Sequence, residues 1–209
     1  MATALTKSGL ICATVALAAC GGAGNPFSDD RRAPLGPITT DEAEGIAAAY
    51  DSLATRMAAL TPTPDGVVPV AGQATFTGLT RLEVAPQGQT ETMTFIGDTV
   101  VQADFGGPLL GAEMTSFAGE DLSGATMRLD GKLSVDGARI GGTMAGSNEV
   151  LGTFRGILLG EGIEINASGT IAGQFLHIPA RAISLTGTDT SAIYNDAPAS
   201  LSLTGFATE

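Results

Sequence analysis

From Gly72 onward the chain alternates, and that pattern constrains its fold more than any other feature. Residues 73–84 set Ala74, Phe76 and Gly78 against Thr75, Thr77 and Leu79, and residues 98–105 place Val101, Ala103 and Phe105 on one face. A period of two is that of a half-buried strand, because successive side chains point to opposite faces. Similar runs recur at 92–96, 109–117, 125–135, 139–145, 150–159, 163–167, 170–176, 182–185 and 199–206. Gln87-Gly88, Gly106-Gly107, Asp136-Gly137, Ser147-Asn148 and Glu161-Gly162 fall between them as turn signals. Asp-Gly suits a tight hairpin, since both central residues of a type I′ turn need φ > 0. Asp130-Gly131-Lys132 reads as a hairpin turn in the same way.

Many short strands with tight turns must hide their edges, and closure into a barrel does so. Strand-interior glycines such as Gly141-Gly142 and Gly156 permit the sharp bends a small barrel needs. The expectation is a mainly β chain: an antiparallel up-and-down barrel of about eight strands over 70–209, preceded by one α-helix. A barrel of that size is filled by side chains or holds one small ligand.

The helix is predicted over 40–61. Thr39 and Glu42 have capping-box spacing, and Asp41, Glu42 and Glu44 suit the positive end of the helix dipole. Ile46, Tyr50, Leu53, Met57 and Leu60 recur every three or four residues and line one face. Pro62 and Pro64 stop the helix. Such a stripe needs a surface to cover. The following β domain would provide it; coiled-coil self-association is the rival, disfavoured by the lack of an e/g charge pattern.

The amino-terminal region reads as an export signal. Lys7 precedes an apolar stretch over 9–19, followed by Leu17-Ala18-Ala19-Cys20 and Gly21. That stretch is shorter than the roughly 20 apolar residues a spanning helix needs. Leu-Ala-Ala-Cys resembles the lipobox of bacterial lipoproteins. The resemblance implies cleavage before Cys20 and acylation there, with chains such as palmitate, so Cys20 is the lipidation site. Several acyl chains, at roughly 0.8 kcal/mol per buried CH₂, hold a protein firmly. The rival reading is ordinary secretion, because Ala16-Leu17-Ala18 is itself an A-x-A cleavage site. Gly21 in place of Asp points to the outer membrane. Residues 1–19 are then the signal peptide and 20–39, rich in Gly and Pro, a tether.

Cys12 and Cys20 are the chain's two cysteines, so cleavage and acylation leave no thiol for a disulfide, and stability must come from packing. The 22 acidic and 10 basic residues give a formal charge of −12. An acidic surface argues against nucleic acid and anionic lipid, and suits the solubility of an exported protein.

Catalytic chemistry is not indicated. His177 is the one histidine, and no G-x-S-x-G elbow accompanies it. With no cysteine available a zinc site is not indicated. Glu120-Asp121 and Glu161 with Glu164 lack the spacing of a calcium loop, and Leu133 stands where a phosphate-binding loop needs Ser or Thr. Asn166-Ala167-Ser168 is a glycosylation sequon without meaning in a bacterial chain. Arg81, Arg128, Arg139 and Arg155 are scattered, with no basic patch in the sequence. The expectation is therefore no catalytic residue, no metal and no cofactor.

Three segments carry a further resemblance. Gly72-Gln73-Ala74-Thr75-Phe76-Thr77-Gly78 resembles the opening strand of the eight-stranded barrel in transferrin-binding protein B and related surface lipoproteins. Asp104-Phe105-Gly106 with Leu110-Gly111 is similar to a second segment of that barrel. Ile171-Ala172-Gly173-Gln174-Phe175-Leu176-His177-Ile178-Pro179-Ala180 is similar to its late turn motif, with Gly187 ending the next strand. His177-Ile178 and Arg181-Ala182 depart from the glycine and the acidic pair usual there. The resemblance implies the barrel fold and a surface lipoprotein. It does not bring transferrin or iron binding, because the second, handle-like domains of that family have no counterpart here.

The function this implies is a lipid-anchored cell-envelope protein, held to the outer membrane through Cys20 and displaying a non-enzymatic barrel to a protein or other partner. The alternative is a lipocalin-like carrier of a small apolar ligand.

Overall fold

A computed structural model describes residues 37–141 and 147–209. The segment 1–19 expected as a signal peptide, Cys20 and most of the 20–39 segment expected as a tether lie outside the described residues, as does Gly142. Eight antiparallel strands follow one helix: α1 (Thr40–Ala58), β1 (Gln73–Pro86), β2 (Met93–Asp104), β3 (Leu109–Glu120), β4 (Thr126–Ile140), β5 (Glu149–Gly160), β6 (Ile163–Leu176), β7 (Ala182–Tyr194) and β8 (Ala197–Thr208). Each strand pairs with its sequence neighbour, and β8 returns to β1 to close the barrel.

The strands are longer than the alternation suggests. Residues 92–96 and 98–105 merge into β2, and 163–167 and 170–176 into β6. Two expected turns lie inside β4. Asp130-Gly131-Lys132 pairs with Leu159, Leu158 and Ile157 of β5 and is mid-strand. Asp136-Gly137 is a bulge: Gly137 sits at φ 66°, and the β4–β5 register shifts between Val135 and Arg139. The extra residue switches the inward parity, so that Val135 and then Ala138 and Ile140 face the core. β3 does the same at Ser116, φ 58°, which turns Phe117 inward after Met114. β7 repeats it at Asp189, φ 47°, ahead of Ala192. A short alternation rule breaks at such points, which is why the sequence pattern fragments there.

The interior is apolar and filled. Phe76, Phe95, Phe117, Phe154 and Phe175 are among its fully buried side chains. Glycines make room for the rings: a Cβ at Gly169 would stand 2.8 Å from Phe154 Cε1, and one at Gly97 2.8 Å from Phe117 Cδ1. Large against small across facing positions is what an eight-stranded barrel of this width requires. The buried hydroxyls of Thr80 and Thr99 meet at 2.5 Å, so each satisfies the other.

The helix begins at the capping box read from the sequence. Thr39 N–H donates to Glu42 Oε2 at 2.9 Å and Glu42 N–H to Thr39 Oγ1 at 3.3 Å. Its stripe packs on the barrel rather than on a second helix. Ala43 and Ile38 bury against Ala118 of β3; Leu53 and Met57 bury against Leu176 and Ala182. The helix therefore runs the length of the barrel's outer wall across β8, β1, β2 and β3. Fully burying Leu53 or Met57 is worth roughly 1.5–3 kcal/mol each. Residues 61–72 then cross one end of the barrel. Thr63 N–H donates to Phe175 O at 2.9 Å, Asn148 N–H donates to Asp65 Oδ1 at 3.0 Å, and Val68 plugs the core.

Candidate functional site

The barrel has two unlike ends and two unlike walls. The turns β1–β2, β3–β4, β5–β6 and β7–β8 share one end, and each carries an acidic residue: Glu91, Asp121, Glu161 and Asp196. The other end is the one Val68 plugs. One wall is covered by α1. Among the described residues nothing covers the middle of the opposite wall, β4 to β7, although its ends touch the helix and its flank at Thr126, Leu176 and Ala182.

Arg81 holds the helix, and Arg128 lies near its amino end. Arg81 of β1 lies 4.4 Å over the Tyr50 ring and reaches Asp51 Oδ1 at 2.6 Å. Tyr50 in turn stacks tilted on Phe206 at 5.9 Å and donates to Thr204 O at 3.3 Å. Burial pushes the Tyr50 phenol up from its ordinary pKa, with the Arg81 charge acting against that. Arg128 of β4 sits near the amino end of α1, where its charge adds weakly to the hydrogen bonds from Thr39 that lower the Glu42 pKa.

Arg139 and Arg155 lie on the opposite wall. Following the register outward, Arg139 pairs with Leu151, Ser134 with Arg155 and Lys132 with Ile157. Across β5–β6, Leu151 meets Ala172, Thr153 meets Thr170, Arg155 meets Ser168 and Ile157 meets Asn166. β7 continues these rows with Thr186, Thr188, Ser191 and Ile193. At these paired positions the wall presents three bases, hydroxyls, one amide and aliphatics, and no carboxylate. Arg139 and Arg155 are exposed, while Lys132 is tied to Glu113 of β3 at 2.8 Å. Leu151 is 54% and Ile193 47% exposed. The flanking outward rows of the same wall carry Asp130 and Glu164 on either side of Leu159 and Glu149 beside Gln174, and Asp136 and Asp189 stand on its two bulges. The minimal side chains of Ala172 and Gly173 leave a trough of about 430 Å³ beside Leu151, edged by Glu149, Gln174, Ser184 and Thr186. A second hollow of about 270 Å³ lies between α1 and the β2–β3 hairpin, over Ala43, Ala47 and Ala118.

The remaining sequence candidates disperse. His177 is exposed on the β6–β7 turn at φ 73°; its N–H donates to Thr61 O at 2.9 Å, and its carbonyl accepts from Thr63 Oγ1 at 2.6 Å. Asp121 serves its own turn, accepting from Ser123 N–H at 2.8 Å and Ala125 N–H at 2.9 Å, and these bonds, with that from the Ser123 hydroxyl foremost, lower its pKa. Glu161 and Glu164 belong to the β5–β6 hairpin; Glu164 N–H donates to Asn195 Oδ1 at 2.7 Å. Asn166 and Ser168 lie mid-strand on the β4–β7 wall. Among the described residues no group of three His, Cys, Asp or Glu is placed to hold a metal. The sequence reading missed the wall because its residues come from four strands; the outward parity of Arg139 and Arg155 was its one legible trace, and the β4 bulge obscured it.

No family model and no curated protein matches the chain. Two solved structures of mutants of the vaccine antigen Transferrin Binding Protein B from Haemophilus parasuis Hp5 are similar to it. The double mutant shares 13% identity at a TM-score of 0.45, covering 70% of this chain and 27% of that one. The single mutant shares 11% identity at a TM-score of 0.42, covering 70% and 28%. The chain thus spans just over a quarter of the length of those proteins, and its barrel is similar to part of them.

Proposed function

We propose that the chain is a lipid-anchored lipoprotein of the cell envelope, attached to the outer membrane through acyl chains on Cys20, whose barrel binds a partner on its outside and performs no catalysis. The observation that carries the binding half is the filled interior. Five fully buried phenylalanines occupy the space a lipocalin-like carrier would give to its ligand, so recognition falls to the outer surface. The anchoring half rests on Leu17-Ala18-Ala19-Cys20 behind an apolar leader. The similarity to Transferrin Binding Protein B is compatible with surface display; transferrin itself is not carried over.

Two measurements test the reading. Mass spectrometry of the mature amino terminus is expected to find an acylated Cys20, and an unmodified Ala19 start refutes the anchor. Protease treatment of intact cells is expected to remove the barrel if it is displayed outward, and to spare it if it faces the periplasm. Turnover of esters, peptides or glycosides by the purified protein, abolished by His177→Ala, would refute the non-catalytic reading.

A further inference from the structure

We propose that Asp136-Gly137, on the β4 bulge, is the site at which this chain isomerises spontaneously to isoaspartate. The inference is independent of what the barrel binds.

The chemistry is intrinsic to an Asp-Gly pair. The Gly137 amide nitrogen attacks Cγ of Asp136. The N–Cγ bond forms, a Cγ–O bond breaks, and the N–H proton leaves with the carboxyl OH as water. The product is a cyclic succinimide. Water then adds to either ring carbonyl. Breaking the N–Cγ bond restores aspartate; breaking the bond from that nitrogen to the Asp136 main-chain carbonyl carbon gives isoaspartate. One water is lost and one regained, and nothing is oxidised. Glycine favours the attack because it has no Cβ to crowd the approach. Ring closure also needs the main chain to turn about Asp136, which a paired strand resists because its hydrogen bonds would break.

Three Asp-Gly pairs occur in the chain, and the structure separates them. Asp130-Gly131 is in register with Leu159 and Leu158 of β5, and a Cβ on Gly131 would stand 2.2 Å from Ile157 O, so its backbone is hemmed in. Asp65-Gly66 lies in a turn closed by Val67 N–H donating to Pro64 O at 3.1 Å, and the Asp65 carboxylate accepts from Asn148 N–H at 3.0 Å. Asp136-Gly137 has neither restraint. The β3 register passes from Val135 to Ala138 and the β5 register from Val135 to Arg139, so the pair has no partner residue on either neighbouring strand. Both residues are exposed, and a Cβ on Gly137 would meet nothing within 4 Å. Among the described residues the Asp136 carboxyl has no hydrogen-bond or ion-pair partner. A bulge leaves its extra residue outside the ladder, which frees the nitrogen to reach Cγ. The product carries the main chain through Cβ and is one carbon longer, at the bulge that turns Ala138 and Ile140 inward.

Trypsin places the three pairs on separate peptides, 57–81, 129–132 and 133–139. The purified full-length protein is incubated in mildly acidic buffer, native or in urea, and then digested. Isoaspartate in each peptide is read by liquid chromatography with mass spectrometry and by labelling with isoaspartyl methyltransferase. In the native protein it is expected to form in 133–139 at least about tenfold faster than in 129–132 or 57–81, where hydrogen bonds must first be lost. In urea the three rates are expected to converge. Asp136→Glu keeps the exposed carboxylate but would have to close a larger ring, and is expected to remove the native signal with an unchanged circular dichroism spectrum. Asp136→Asn is expected to raise it, because ammonia leaves more readily than water from a carboxylate. Native accumulation in 129–132 or 57–81 equal to that in 133–139, or none in 133–139 while the urea sample accumulates it, overturns the proposal.

Discussion

Replacing glycine by alanine at two positions is expected to move stability in opposite directions. At Gly156 of β5 a Cβ would stand 1.9 Å from Lys132 O and 2.9 Å from Leu133 Cα on β4. An ordinary carbon–oxygen contact is about 3.3 Å, so one backbone must retreat by more than an ångström. That movement breaks ladder bonds around the Leu133–Gly156 pair. Two buried backbone groups left unpaired cost about 1–3 kcal/mol each, and overpacking adds about 1–3 kcal/mol. The sum is at least about 3 kcal/mol. For a domain of this size each kcal/mol shifts Tm by about 2–4 °C, so Gly156→Ala is expected to melt about 6–12 °C below the parent or lower. At Gly45, exposed in α1, a Cβ meets nothing within 4 Å. There alanine removes only the entropic cost of a helical glycine and is expected to stabilise by about 0.5–1 kcal/mol. Thermal unfolding followed by far-ultraviolet circular dichroism measures both. A Gly156→Ala protein within about 1 kcal/mol of the parent would refute the close approach of β4 and β5 on which the reasoning rests.

Three further outcomes follow from the packing. Thr39→Ala removes the helix cap and is expected to cost about 0.5–2 kcal/mol in urea unfolding, whereas Thr39→Ser costs less. Met57→Ala opens a void between α1 and the Leu176–Ala182 edge and is expected to cost about 2–5 kcal/mol; no change in the urea midpoint would mean that the helix does not bury its stripe there. The Glu42 and Asp121 carboxyls are held below their ordinary pKa, chiefly by the hydrogen bonds they accept from Thr39 and Ser123. Their contribution is complete above the unfolded value near pH 4 and is lost as pH falls through the folded value. The urea midpoint is thus expected to drop between pH 5 and pH 3, less steeply in Asp121→Asn; an identical slope would remove Asp121 from the account.

Much of the fold was legible in residues 73–209 because strand periodicity and hairpin glycines are local signals. The capping box at Thr39 and Glu42 was equally local, and it stands as read. What misled was also local: Asp130-Gly131 and Asp136-Gly137 look like hairpin turns, but the first is paired strand and the second a bulge. A dipeptide reports which φ it tolerates, and a positive φ serves a bulge as well as a turn. The β4–β7 wall was illegible for a different reason. Arg139 and Arg155 come to one wall only through the β4–β5 register, and that register depends on the residue inserted at the bulge.

By itself the sequence determined a β chain with one capped helix, an amino-terminal apolar stretch running to Leu17-Ala18-Ala19-Cys20, and an acidic composition, because those follow from periodicity, spacing and counting. Only the tertiary structure decided that the helix stripe lies on the barrel, that bulges in β3, β4 and β7 keep the core inward, and that Arg81 holds the helix while Arg139 and Arg155 face solvent. The physical reason is closure. Once β8 pairs with β1, each outward residue acquires neighbours from strands distant in sequence, and no local pattern carries that information.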